Sequence, residues 1–225
     1  MQLSIFISLF FVLPNYLIGQ HYFRLKADFS IKEKFYDGKM SLSRGSVYFD
    51  KVHDKLVYKI SFPEKELWVF KDTTFYRFVD NTLKSKQMVP FNPAATMFSN
   101  LLNKSMHNFG LEKSLYKIEK VEKEGDLVIT TWKPDQKVSK MFGKVITSKK
   151  NNQLYGVAFY TTQNELIKKQ FFKEYIKVAG IEFPTDVTEI HYLTQGKDIK
   201  QTTYRNIVIN DMKDEDIYNF KLPAR

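Results

Sequence analysis

The sequence contains no cysteine. That excludes disulfide staples, thiol nucleophiles and zinc–thiolate centres, and leaves the buried core as the source of stability. Histidine is scarce: His21, His53, His107 and His191 are the only four, they are dispersed, and none stands at metal-ligand spacing from another histidine or a carboxylate. The G-x-S-x-G elbow, the phosphate-cradling glycine loop and the dinucleotide fingerprint are also missing. Carboxylates are plentiful, but Glu64 and Glu66, and the run Asp214, Glu215 and Asp216, fall in turns and in the tail, where a solvated surface is the expectation. No catalytic residue, metal site or cofactor is therefore assigned, and the chain reads as a non-enzyme.

Charge is absent from the first nineteen residues. Their apolar run from Leu3 to Leu13 is interrupted by Pro14 and Asn15 and ends in Leu17-Ile18-Gly19, short of the ~20 residues that span a bilayer. The prediction is a secretory signal over residues 1–19, cleaved near Gly19, and one domain over 20–225. With no cysteine after the run, the mature chain is not itself a lipoprotein. Lysine and arginine number 35 against 25 acids, a net charge of +10 carried wholly beyond the signal. For an exported chain this points to an anionic lipid surface or an acidic partner and not to nucleic acid. Lys84, Lys86, Lys149 and Lys150 are candidates for steering such docking.

What the sequence has in abundance is aromatic residues, 20 Phe and 13 Tyr, set in a period-two pattern. In the first such stretch Phe23, Leu25, Ala27, Phe29 and Ile31 share one parity while Arg, Lys, Asp and Ser occupy the other, the signature of a strand with one buried face. Asp37-Gly38 marks a hairpin. Parity then switches around Gly45, which predicts a β-bulge and a bent strand. Leu56, Tyr58, Ile60 and Phe62 alternate again, whereas Leu67-Trp68-Val69-Phe70 puts large groups on both faces, as two covered faces or a rim near a lid require. Turn signals recur to the C-terminus, giving about eleven strands in sequence-neighbour order and hence an up-and-down, strongly curved antiparallel sheet.

Only Asn92 to His107 reads as a long helix. Asn92 is placed to cap it and Pro93 to open it, and Ala94, Met97, Phe98, Leu101 and Leu102 form an apolar stripe at i, i+3, i+4, i+7 and i+8. His107 is expected as a cation at the helix C-terminus. A helix on a one-sided sheet is either a plug or a lid. The expected cavity wall is Phe23, Leu25, Phe29, Leu56, Tyr58, Trp68 and Phe70 on the sheet, with Met97, Phe98, Leu101 and Leu102 on the helix. Methionine suits such a surface because it adapts to varied acyl groups. The tail, Ile217 to Pro223, reads as a short docking segment.

The runs Gly45-Ser46-Val47-Tyr48-Phe49-Asp50-Lys51, Leu56-Val57-Tyr58 and Phe62-Pro63, the helix opening Pro90-Phe91-Asn92-Pro93 and the closing Phe220-Lys221-Leu222-Pro223 resemble the periplasmic outer-membrane lipoprotein carrier (LolA-like) family. The resemblance covers most of the mature chain. It implies a mainly β fold, an unclosed β-barrel with a helical lid over an apolar cavity. It also implies a periplasmic monomer that takes lipoprotein acyl chains, or another acylated lipid, from an inner-membrane transporter to an outer-membrane receptor. Two departures accompany it. The family's helix before the first strand is missing, and its Arg-Pro lid latch becomes Lys51-Val52, which leaves Lys51 or Arg44 as the substitute latch. The alternative is a lipid-responsive sensor of the same fold, which needs an interaction domain that is not legible between Phe23 and Arg225.

Overall fold

The computed structural model describes residues 21–89 and 93–223, apart from the side chain of residue 94. The candidate signal, the Asn92 cap and the side chain of Ala94 lie outside the described residues. Period-two alternation yields thirteen strands: β1 (Arg24–Lys34), β2 (Met40–Asp50), β3 (Lys55–Phe62), β4 (Glu66–Lys71), β5 (Thr74–Val79), β6 (Thr82–Met88), β7 (Tyr116–Glu124), β8 (Leu127–Pro134), β9 (Val145–Lys150), β10 (Gln153–Tyr160), β11 (Leu166–Val178), β12 (Ile181–Leu193) and β13 (Gly196–Ile209). The count exceeds the expected eleven or so because even the short segments hold complete ladders, such as Glu66↔Val79 through Lys71↔Thr74 between β4 and β5.

All thirteen strands form one antiparallel sheet in the order β6-β5-β4-β3-β2-β1-β13-β12-β11-β10-β9-β8-β7. The first strand therefore pairs with the last, Leu25↔Ile209 through Lys34↔Ile199. The two free edges are β6 and β7, the barrel is unclosed between them, and the chain that joins them in sequence crosses the concave face. Bends come from local irregularities. Between β2 and β3 the register jumps from Arg44↔Phe62 to Gly45↔Ile60, so the irregularity falls at Gly45 as expected. The extra residue, however, is Ser61 of β3, and the parity switch in β2 arises because Met40 and Leu42 lie on the convex face with Arg44. Gly45 is required there, since a Cβ would stand 2.0 Å from the Lys59 carbonyl oxygen. A left-handed residue at Asn206 accompanies the register shift of β13 against β1 and is braced by an Asn206 Nδ2 donation to Asp28 Oδ2 (2.8 Å). Glu174 of β11 is also left-handed, with its carbonyl accepting from the Thr185 hydroxyl (2.7 Å), while the β11–β12 register runs through unchanged.

Both faces carry a core. On the concave side Leu25, Ala27, Phe29, Val47, Phe49 and Leu56 pack with Phe172, Phe183, Val187 and Tyr204 beneath the crossing segment. On the convex side Tyr48, Val57, Val69, Tyr76 and Phe78 are covered by the tail, where α2 (Glu215–Tyr218) seats Ile217 and Tyr218. The double coverage explains the blurred alternation of β4, with Trp68 and Phe70 turned to the concave side and Leu67 and Val69 to the convex. The tail docks as expected, but its acids are not simply solvated. Arg24 donates to Glu215 Oε1 (2.5 Å) and to Asp50 Oδ2 (3.3 Å), Lys26 pairs with Asp214, and the Arg24 guanidinium stacks 4.4 Å from the Tyr218 ring centre. Nor is Glu66 a turn residue open to water: its carboxylate is clamped by the Arg77 guanidinium and the Trp68 indole N–H.

Candidate functional site: a hollow under the crossing helix

The expected sixteen-residue helix is a single α-turn and a half. A 3-10 turn (Pro93–Ala95) leads into α1 (Met97–Leu102), followed by 3-10 turns at Met106–Asn108 and Leu111–Lys113. The cap is Thr96, whose hydroxyl accepts from the Ser99 N–H (3.3 Å) and donates to the Pro93 carbonyl (2.7 Å). The helix stops early because Asn100, Ser105 and Gly110 tie the chain into a knot that helical hydrogen bonding cannot continue. The Ser105 N–H and hydroxyl bond the Asn100 carbonyl and Oδ1, Lys104 is left-handed (φ 56°), and a Cβ on Gly110 would stand 2.5 Å from Asn100 Oδ1. Among the described residues no helix is long and apolar enough to cross a membrane.

The apolar stripe survives this shortening. Phe98, Leu101 and Leu102 are buried at 3, 1 and 3% exposure, and α1 lies over β1 and β12. Phe98 stacks on Phe49 (ring centres 6.3 Å apart) and meets Tyr204 edge-on at 5.7 Å, while Phe109 reaches Phe159 and Phe172 at 5.8 and 5.9 Å. Each fully buried group of this size contributes about 1.5–3 kcal/mol, and the segment is held by Phe98, Leu101 and Leu102 of α1, by Met106 and Leu111 after it, and by the half-buried Phe109. Beside these anchors the packing is incomplete. A hollow of about 320 Å³ opens between α1 and the sheet, walled by Leu56, Tyr58, Met97, Phe98, Phe109, Phe159, Phe172, Val187 and Tyr204.

The residues expected to line a cavity divide into three groups. Leu56, Tyr58, Met97 and Phe98 wall the hollow, while Leu25, Phe29, Leu101 and Leu102 are packed core, and Trp68 and Phe70 flank that core on β4. Phe23 does not join them. It precedes β1, is half-buried under the Arg24 guanidinium (6.0 Å), and Tyr22 takes the core position in its place. Among the described residues neither expected latch is seen in contact with the crossing segment. Arg44 lies on the convex face over the Phe62 ring (6.0 Å), because its parity in β2 is that of Tyr48, and Lys51 follows β2 with its N–H on the Phe23 carbonyl (2.9 Å). His107 falls beyond the end of α1 and faces Glu112 at 3.8 Å instead of capping a helix. Of the steering lysines, Lys84 and Lys86 lie on edge strand β6, whereas Lys149 and Lys150 lie on β9, away from that edge.

Sequence reading missed the polar end of the hollow. Gln170, Glu189 and Lys200 are cross-strand partners on β11, β12 and β13, with Lys168 opposite His191 in the adjoining pair on the same face. Glu189, its side chain 14% exposed, receives Lys200 at 2.5 Å, the Gln170 amide at 2.9 Å, Lys168 at 3.7 Å and His191 at 3.8 Å. Burial pushes the Glu189 carboxyl up, but the nearby His191 imidazole and the charges of Lys200 and Lys168 prevail and hold it well below the usual carboxylate range. Burial lowers Lys168, and raises the Tyr58 and Tyr204 phenols. Gln170 Oε1 is buried without a partner. The i, i+2 spacing of Lys168 with Gln170, and of Glu189 with His191, was the available signal, but nothing in one strand tells which of its two faces is covered.

A larger hollow, about 1080 Å³, lies on the convex face between the tail and β2–β5. It is an open trench with Asp28, Arg44, Lys59, Lys65, Glu66 and Asp216 among its walls, so size alone does not make it the better acyl site; the smaller hollow is the better covered, and its charged wall residues, Lys168, Glu189 and Lys200, are gathered at one end.

No protein-family model and no curated protein sequence matches the chain. Solved structures do. A LolA-superfamily protein from Nitrosomonas europaea superposes with a TM-score of 0.58 at 15% identity, covering 87% of this chain and 90% of that one. A putative outer membrane lipoprotein-sorting protein domain from Vibrio parahaemolyticus gives 0.59 at 14% identity over 86% and 88%. A DUF1329 family protein from Desulfovibrio piger gives 0.59 at 12% identity over 88% and 90%. The unclosed antiparallel sheet crossed by a short helical segment is thus a fold that this chain shares with these three structures.

Proposed function

We propose that the protein is an exported, monomeric carrier that holds acyl chains of lipoproteins, or of a related acylated lipid, in the hollow beneath α1 and ferries them through the periplasm toward the outer membrane. The carrying observation is that hollow, an aromatic and aliphatic space roofed by a short segment of one six-residue helix and three 3-10 turns. Burial of the chain supplies affinity, and a small cavity keeps that affinity low enough for release. In this reading residues 1–19 direct export, and an inner-membrane transporter and an outer-membrane receptor load and unload the carrier. The lipoprotein-sorting description of the Vibrio parahaemolyticus structure supports the cargo class, and the surplus of lysine supports contact with acidic partners or anionic lipid. No chemistry is required of the side chains.

The test is native mass spectrometry of the protein released from the envelope of a Gram-negative host. Acyl-bearing adducts are expected on the native protein, and Met97→Asp, which places a charge in the hollow wall, is expected to lower their occupancy about tenfold or more. Protein that carries no lipid, and takes up none from mixed micelles, refutes the reading.

A further inference from the structure

We propose that the hollow selects a single-chain amphiphile with an anionic head group, seated on Lys168 and Lys200 with its chain running under α1. The inference rests on the carrier reading and narrows its cargo from lipoproteins to the related acylated lipid. It starts from the mismatch in the polar row. One carboxylate, Glu189, is surrounded by four donor side chains, those of Lys200, Gln170, Lys168 and His191. Lys200 and Gln170 take the short contacts, at 2.5 and 2.9 Å, which leaves Lys168 with one long contact at 3.7 Å although its side chain is only 29% exposed. A half-buried ammonium so weakly compensated calls for another acceptor. The acids nearest this end are engaged elsewhere, Glu33 by the Ser41 hydroxyl (3.0 Å) and Asp198 by the Tyr36 N–H (2.9 Å).

Lys168 also sits 5.1 Å over the Phe159 ring, at the junction of the polar row with the apolar wall. That is where the head of an amphiphile lies when its tail is buried. Size favours a single chain. At about 30 Å³ per water in the liquid, 320 Å³ holds roughly ten water-sized groups, the space of one medium-length hydrocarbon chain and not of several. A carboxylate and a phosphate monoester present the same chemistry to the two ammoniums, so a fatty acid and a lysophosphatidic acid are both admitted.

Delipidated protein is titrated with dodecanoate, with the lysophosphatidic acid of the same chain and with neutral methyl dodecanoate, following displacement of a bound fluorescent probe. Either anion is expected to bind at least tenfold tighter than the ester, and the stronger of the two identifies the head group. Lys168→Met is expected to abolish the preference for the anions over the ester, and Lys123→Met, exposed on edge strand β7, to preserve it. Equal affinity of acid and ester in the unaltered protein overturns the head-group inference but leaves the acyl carrier standing. Binding of none of the three overturns the carrier reading itself. The comparison of acid with ester is decisive even if Lys168→Met fails to fold.

Discussion

At the scale of single residues, the sheet is shaped by positions where a side chain has no room. Gly45 is the clearest. Its missing Cβ lets β2 approach the Lys59 carbonyl at the point where Ser61 bulges out of β3, and the obstructing atom is backbone, which cannot rotate away. Gly45→Ala is therefore expected to cost about 2 kcal/mol or more, seen as a melting temperature lowered by roughly 4–8 °C for a chain of this size. A thermal scan showing no change would mean that the two strands slide apart without penalty. The sequence marked Gly45 as an irregularity through the parity switch around it. Which strand would absorb the extra residue was not legible there, because a bulge is a property of a pair and only one partner's pattern was being read.

At the scale of elements, α1 is the weakest part of the structure. Six residues are too few to be stable alone, its cap is one threonine hydroxyl, and its hold on the sheet depends on the tertiary packing of Phe98, Leu101 and Leu102. Its amides are expected to exchange with deuterium before those of β1 and β13, which are paired on both sides at the centre of the sheet. Thr96→Ala, at a cost of about 1 kcal/mol, is expected to speed exchange over residues 97–102 several-fold without moving the strands. Peptide-resolved exchange mass spectrometry decides the matter, and equal protection of α1 and β13 would make the segment a plug instead of a lid. The apolar stripe of this element could be read from spacing alone, but its length could not. Periodicity reports which residues face inward, whereas the stop at Leu102 comes from a side-chain knot between Asn100 and Ser105 and from Gly110, all polar or small residues without a periodic signature.

At the scale of the whole molecule, buried carboxylates tie stability to pH. Glu189 joins three strands at the end of the concave face, and Asp50 anchors Arg24 beneath the tail. Burial raises the Asp50 carboxyl, but hydrogen bonds from His53 and Arg24 outweigh it, so that Asp50, like Glu189, sits below its ordinary value. A carboxylate depressed in the folded state contributes stability that is fully present above its unfolded pKa and lost as the pH falls through the folded one, since the unfolded chain then binds more protons. The melting temperature is thus expected to be level from about pH 7 to 5 and to drop below about pH 4. Glu189→Gln, which leaves Lys168 and Lys200 facing a neutral amide, is expected to lower the plateau and shrink the acid drop. A melting temperature unchanged down to pH 3 would contradict this coupling.

By itself the sequence determined the antiparallel, neighbour-ordered sheet, the inward parity of Leu25, Phe29, Leu56 and Tyr58, and the place of the crossing segment, because alternation and turn chemistry are local and survive in one strand read alone. The tertiary structure alone decided what those strands enclose. The pairing of β1 with β13, the convex core under Tyr218, the displacement of Phe23 by Tyr22 and the Lys168–Glu189–Lys200 row all arise from partners brought together across long stretches of chain. A cavity is the space that such partners leave unfilled, and no single residue carries a sign of it.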